Sequence, residues 1–587
     1  MGRMADTIAT ATVQRPAFRV ATLSLLLVAA TLIFLHGVSD LPFHTKGEPR
    51  EALVVQNMVA EGEYVLVLRN GNEIPSKPPL FHWLGALAAH SLGRVSEEVV
   101  RAPSVAAALL LLALTALLGF RWWGTAGGLA SATALATSQQ FIVSATVARV
   151  DMVLAACVSV AIATGCLALS ENRKLPLAFY FAVALGVLAK GPIGFVLPAA
   201  VLAVYAAVRR RMPSRSELRL GAGLLIALVP LTWYAAAWWV GGDAFVEKLL
   251  FKENVYRVLD PESVSAGHVK PLWFYGPSLL GSAAPWSLCL PAVAVAAWKR
   301  RATLDEDGLL VPLVWLIVTV ALFSLSPSKR SVYLLPCFPA VALLAGHWAV
   351  SQAPKEPLGT AARAVVLGLA GIVAAAVAMI ALEATGLPAI GWIEPFVGNE
   401  SDRANLAALL IIAEAMRTRL VVWALAALTL IAIAAVAATT RRRLVTFTAI
   451  ASLVTLTVGL AGVPMQREMA KRGSVAPFVA QIEGLIADNE PVYFYRGLDY
   501  AAAYYLARPI PSVENAEEAK VGSGRNRVWY FVWEPSIGEL CGDNDDSARY
   551  SCKEHGRYDF FDNPKLDDLL LISTTRTRAR RRNRTND

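Results

Sequence analysis

The sequence predicts a polytopic α-helical membrane protein of about thirteen spans with a small α/β domain outside the membrane at its C-terminal end. Three observations carry this. Hydrophobic residues make up 56% of the 587 positions and charged residues only 17%, and the mean hydropathy is +0.50, outside the range of ordinary soluble domains. The apolar runs are about 17 to 25 residues long, enough to cross hydrocarbon as helices. The basic residues fall in short clusters between these runs, with the aromatics inside them. A net charge of +9 distributed in this way excludes nucleic acid as a partner.

In chain order the expected spans lie near 20–37, 101–120, 124–143, 152–170, 175–189, 191–208, 220–240, 272–297, 309–326, 331–350, 362–383, 419–438 and 444–463. No Ala-x-Ala cleavage site follows the first run, so 20–37 is expected to be a retained helix. Arg15 and Arg19, then the basic loops at 171–174, 209–211, 299–301 and 441–443, all fall on one side of this count. The positive-inside rule makes that side the cytoplasm. An odd number of spans then places the C-terminal region outside.

The expected organisation is a transmembrane domain over 1–463, with a first outer loop over 38–100. A periplasmic α/β domain follows over 464–575, and then a basic disordered tail over 576–587. Within the second domain, 491–495 and 527–532 read as buried strands, and 476–486 and 500–506 as helices. Cys157, Cys166, Cys289 and Cys337 sit in apolar segments as packing residues. Cys541 and Cys552 share a polar stretch, where one disulfide fits an oxidising compartment.

The outward loops hold Lys46, Glu48, Arg50 and Lys77, then Arg149 and Asp151, then Lys190, then Lys252, Glu253, Arg257, His268 and Lys270, then Lys329 and Arg330. None of these sets the topology, yet they converge on one face at helix ends. Charge against hydrocarbon is expensive and by default marks a functional site.

The stretch 43–84 concentrates this signal. It runs Gly47-Glu48-Pro49-Arg50-Glu51, an apolar-patterned helix with Leu53, Val54, Met58 and Val59, a short β-like run after Gly62-Glu63-Tyr64-Val65, then Asn70-Gly71 and Lys77-Pro78-Pro79-Leu80. This order resembles the first outer loop of the lipid-linked sugar transferases of GT-C fold. The likeness is to the bacterial aminoarabinose transferases of lipid A and, more distantly, to the protein O-mannosyltransferases. Their loop reads Asp-Glu-x-Arg-Tyr at its start, so Gly47 and Glu51 are departures. Four further segments resemble the family in the same order. They are Arg149-Val150-Asp151, Lys190-Gly191-Pro192, the Glu-Asn-x-x-Arg stretch 253–257 followed by His268, and 323–336 with Lys329 and Tyr333.

The resemblance implies transfer of a sugar from a polyprenyl-phosphate carrier. Glu48 is then expected as the base that takes the acceptor proton, its pKa raised at the membrane face, with Asp151 as the second catalytic candidate. The plain alternative for Glu48 is an ion pair with Arg50 or Lys46, and for Asp151 a helix cap. Arg50, Lys77, Arg257 and Lys329 are expected to hold the departing phosphate, supported by Lys190, because an anionic leaving group needs charge rather than a proton. Lys77 could equally snorkel at a helix start. Arg149, Tyr333 and His268 are expected to contact substrate. Arg149 and Asp151, two residues apart, do not face each other on a helix and should have different partners.

No cofactor is expected: a divalent metal could use Glu48 and His268, but the outward charged loops hold no Asp-x-Asp or His-x-x-x-His pattern. The expected partners are a polyprenyl-phosphate sugar, a lipid A or other glycan acceptor and the membrane, with no nucleic acid. The expected location is the bacterial inner membrane with a periplasmic active site. Protein O-glycosylation by the same chemistry is the enzymatic alternative. Transport ranks behind it, because the charges lie at one face and no two related halves are evident.

Overall fold

The structure is a computed structural model that describes residues 16–38, 41–45, 47–256, 269–306, 308–351, 360–387, 410–411, 413–487, 489–514, 527–541, 550–559 and 568–576. All thirteen segments expected as spans fall on helix. Among the described residues eight helices are long and apolar enough to cross a membrane. A ninth is the pair Leu272–Ser282 and Trp286–Lys299, bent by 109°. Leu177–Lys190, Ile193–Val208 and Leu310–Leu325 are shorter apolar helices. The segments 101–120 and 124–143 fall on separate helices: Glu97–Ala136 is two helices meeting at Trp123 and Gly124, where Gly124 takes φ +69°, and Gln139–Ala145 follows them. The chain folds back at this left-handed glycine, so that a Cβ on Gly119 would stand 2.7 Å from Gly128 Cα.

The bundle is held by close helix contacts at small residues. A side chain on Gly346, in Phe338–Val350, would meet Ser131 Oγ at 2.2 Å, so this helix lies almost backbone-on-backbone against Glu97–Ala136. Such packing is how helices associate where lipid offers no hydrophobic drive. Leu25, Leu32, Leu225 and Ile372 stay exposed on outer faces, as lipid contact requires.

In the outer loop, the helix Glu48–Glu61 buries Ala52, Leu53, Val54, Val55 and Met58 and ends at Gly62, φ +68°. The β-like run after it is not a strand: the loop forms only an isolated Arg69–Glu73 bridge. Side chains satisfy its backbone instead. Trp233 Nε1 donates to the Val65 carbonyl at 2.9 Å and Asn57 to that of Leu68 at 2.9 Å.

The C-terminal region forms a five-stranded mixed sheet in the order β2-β1-β3-β5-β4. Its strands are β1 (Val492–Tyr495), β2 (Ser512–Val513), β3 (Arg527–Trp533), β4 (Tyr550–Tyr558) and β5 (Leu569–Arg576). β1 pairs parallel with β2 and β3, while β5 pairs antiparallel with β3 and β4. Arg576, expected to open the tail, instead pairs with Tyr550 at the end of β5; residues 577–587 lie outside the described set. Cys541 and Cys552 are disulfide-bonded, Cα–Cα 5.7 Å.

This sheet region docks on the first outer loop. Tyr505 Oη accepts from Phe43 N–H and donates to Glu97, both at 2.8 Å. Asn70 exchanges two bonds with the Ile510 backbone at 2.7 and 2.8 Å, and Tyr500 donates to Glu73 at 2.7 Å. The loop is thus fixed from both the membrane side and the outside.

Candidate active site

A cavity of about 370 Å³ opens where five elements meet. Lys77 enters just before Pro78 and Pro79, whose rings set the start of the helix Leu80–Leu92. Asp151 lies in the first turn of Val150–Ser170. Lys190 ends Leu177–Lys190, because Gly191 takes φ +79° and stops the helix there. Glu253 sits on the π-helical segment Val246–Tyr256, and Tyr333 on the 3₁₀ segment Ser331–Cys337. Leu154, Ile193 and Leu322 give the cavity an apolar wall.

Two ion pairs cross it. Lys77 Nζ lies 2.6 Å from Glu253 Oε2, and Lys190 Nζ pairs with Asp151 Oδ1. Their side chains are 12–17% exposed, dry enough to strengthen the charges yet open to the cavity. Lys190 Nζ also sits 4.4 Å from the centre of the Tyr333 ring, a cation–π contact. The charges of Arg149 and Lys77 also act on Asp151. Two carboxylates and several cations around an apolar-walled cavity can hold an anion and still offer a proton acceptor.

The structure therefore brings together Lys77, Asp151, Lys190 and Tyr333. Glu48 is placed elsewhere, which corrects the expected environment. Its side chain is wholly buried and is not among the residues lining the cavity. Arg101 Nε and Nη2 donate to it at 2.7 and 3.2 Å, and the Ala148 and Thr45 donors lie at 3.0 and 3.2 Å. Burial alone would raise this carboxyl, but the Arg101 charge and these bonds hold it below the usual carboxylate value of 4.5. Its partner is Arg101 rather than Arg50.

Arg50 lies with Arg69 over the Tyr500 ring, 5.5 and 4.8 Å from its centre. Lys329 is buried and donates to the Lys270 carbonyl at 2.9 Å, beside but not in the cavity lining. Arg149 packs against Gly47, while Asp151 pairs with Lys190. Arg257, His268 and Lys46 lie outside the described residues. Among the described residues no three or more His, Cys, Asp or Glu side chains group to hold a metal ion.

Two residues escaped the sequence analysis as site residues. Glu253 stood inside the Glu-Asn-x-x-Arg motif, so its signal was present but unassigned. Arg101 opens the apolar run 101–120, and a charge at that point was the only hint of its buried partner.

The fold and this charged cavity at the helix ends define a multi-pass membrane protein of GT-C architecture. Residues 76–234 match the family model described as dolichyl-phosphate-mannose-protein mannosyltransferase. Over 343 residues the chain is 30% identical to the undecaprenyl phosphate-alpha-4-amino-4-deoxy-L-arabinose arabinosyl transferase 1 of Pseudomonas fluorescens, covering 56% of this chain and 60% of that one. The corresponding transferase of Pseudomonas paraeruginosa is 30% identical over 371 residues, 62% of this chain and 66% of that one. The matched stretch thus spans about three fifths to two thirds of these relatives' length. The crystal structure of ArnT from Cupriavidus metallidurans bound to undecaprenyl phosphate superposes with a TM-score of 0.72 at 20% identity, over 94% of this chain and 98% of that one. The chain has the GT-C fold and is similar in sequence to lipid-linked sugar transferases.

Proposed function

We propose that this protein transfers a glycosyl group from a polyprenyl-phosphate-linked sugar to a cell-envelope acceptor, lipid A or another glycan, at the periplasmic face of a bacterial inner membrane. The observation that carries the reading is the cavity where Lys77, Asp151, Lys190 and Glu253 meet beside an apolar wall. The similarity to transferases named for an undecaprenyl-phosphate donor supports the donor class. The Cys541–Cys552 disulfide supports an oxidising compartment for the sheet region, which docks on the same loop as the cavity.

In this reading the donor phosphate enters between Lys77 and Lys190, its lipid tail along the apolar wall. The acceptor oxygen bonds to the anomeric carbon as the carbon–oxygen bond to phosphate breaks. The electron pair leaves with the polyprenyl phosphate, whose charge the two lysines stabilise. Asp151 takes the acceptor proton, in place of Glu48, because Asp151 lines the cavity and Glu48 is tied to Arg101. Arg257 and His268, by resemblance, and Lys329 and Arg50, by charge, complete the phosphate and substrate contacts. The mannosyltransferase family match supports a second reading, the same chemistry on a protein hydroxyl.

The test is transfer of radiolabelled sugar from a panel of polyprenyl-phosphate donors to lipid A and protein acceptors, in membranes carrying wild type, Lys77→Ala or Asp151→Asn at matched folded protein. Transfer by wild type alone supports the reaction and the site. Transfer surviving both changes sinks the site, and none from any donor sinks the reaction.

A further inference from the structure

Beside the cavity, an arginine faces two helix ends and makes no direct ion pair, its charge reaching only the Asp151 carboxylate. The guanidinium of Arg149 lies flat against Gly47: a Cβ added there would stand 2.5 Å from Nη2 and 3.0 Å from Cζ and Nε. Gly47 has φ −90° and ψ −35°, which any residue adopts. The glycine leaves the space in which the Arg149 guanidinium lies; a side chain there would displace that guanidinium, and the backbone places no demand on the position.

Gly47 is the N-cap of the 14-residue helix Glu48–Glu61, and Arg149 is the N-cap of the 21-residue helix Val150–Ser170. Neither cap makes a side-chain hydrogen bond. Two positive helix ends and a guanidinium thus meet at one point. The acids of the first turns are engaged elsewhere: Glu48 with Arg101, Glu51 with His82 at 2.7 Å, and Asp151 with Lys190. Among the described residues the half-buried Arg149 side chain has no hydrogen bond, ion pair or ring contact. A charge held this way at a membrane face is costly unless a ligand completes it.

We infer that Arg149, laid over Gly47 where the two uncapped helices meet, binds a carboxylate on the transferred sugar, so that the donor carries an acidic sugar of the uronic type. This rests on the transferase reading above, in which Asp151 is the base. Arg149 stands two residues from Asp151 and its charge acts on that carboxylate, so it belongs beside the reacting sugar rather than along the lipid. The lysines of the cavity serve the phosphate, which leaves Arg149 for a second anion. Its planar fork matches a carboxylate through two parallel bonds. An amino sugar would bring a like charge to the same point.

The experiment compares kcat/KM for polyprenyl-phosphate-linked uronic acid, neutral hexose and 4-amino pentose in wild type, Arg149→Ala, Arg149→Lys and Gly47→Asp. Wild type should favour the acidic donor, and Arg149→Ala should lose roughly 10- to 150-fold on that donor alone, the range for a hydrogen bond to a charged group. Arg149→Lys should restore part of the preference. Gly47→Asp, which supplies an internal carboxylate to a guanidinium free to shift, should abolish the preference while keeping transfer of the neutral sugar. Preference of wild type for the neutral or amino sugar, or an unchanged preference in Arg149→Ala, overturns the inference and leaves the transferase reading standing. No transfer from any of the three donors overturns both.

Discussion

Replacing Glu48 by Gln preserves the shape of the side chain and removes the counter-charge of a buried guanidinium. Arg101 gives two bonds to this carboxylate and two more to the carbonyls of Leu41 and Val38, at 2.6 and 3.3 Å. The Ala148 N–H points at the same oxygen as Arg101 Nε. An amide keeps one acceptor and turns its NH₂ towards a donor, so one oriented bond and the neutralising charge are lost together. Breaking a buried pair from one side costs about 3–5 kcal/mol, and the retained oxygen places Gln near the lower end.

The pH dependence follows from the depressed carboxyl. A group whose folded pKa lies below its unfolded value stabilises the fold above the unfolded value, and this is lost as pH falls through the folded one. The wild-type advantage should therefore be full at neutral pH and shrink in acid below the ordinary value of 4.5. Thermal unfolding of the purified protein in detergent from neutral to acid pH, with turnover counted per folded molecule, measures both. The expected result is a less stable Glu48→Gln protein at pH 7, a gap that closes in acid, and turnover per folded molecule within a few-fold of wild type. Unchanged melting with collapsed turnover would refute this reasoning and make Glu48 the base.

Three other outcomes follow from the same geometry. Asp151→Asn should lower kcat by roughly 10²- to 10⁴-fold, the usual share of a general base, with donor affinity retained in a binding measurement; an unaltered kcat removes it from the reaction. Lys77→Ala should weaken binding of polyprenyl phosphate roughly 10-fold or more, as loss of a charge-assisted contact does, and Lys77→Arg should recover part of it, measured by titration in nanodiscs. Tyr505→Phe leaves the Phe43 N–H and Glu97 without their shared partner, which should cost about 1–3 kcal/mol and raise protease sensitivity of the first outer loop with little effect on KM.

Much of the fold could be read from the sequence because the membrane imposes one signal, the long apolar run, and all thirteen runs became helix. The boundary at Gly124 was legible because a Trp-Trp-Gly sequence separates two apolar runs, and the chain turns back there. β5 contains the run Leu569-Leu570-Leu571-Ile572, which marks a buried strand, whereas β4, Tyr550–Tyr558, alternates weakly and is defined by its partner rather than its own pattern. Of the candidates that line the cavity, Lys77, Asp151 and Lys190 stood out in the sequence as charges at helix ends, and Tyr333 through the resemblance of 323–336. Glu48 looked the same in sequence and is structurally different, because its environment is set by Arg101, 53 positions away. Spacing along the chain carries no information on such a pair. The opposition of Gly47 and Arg149 is hidden for the same reason: a missing side chain gives no signal until the group that fills its space is seen.

The central claim is that the cavity bounded by Lys77, Asp151, Lys190 and Tyr333 holds the lipid-phosphate donor. A polyprenyl phosphate carrying a photoreactive group in its first isoprene unit, irradiated with the protein in nanodiscs and mapped by peptide mass spectrometry, tests it directly. The account predicts adducts on the apolar wall at Leu154, Ile193 or Leu322 that disappear with excess unlabelled lipid and fall sharply in Lys77→Ala. Adducts concentrated instead in the groove between Ala126 and Leu444, unaffected by Lys77→Ala, would contradict it.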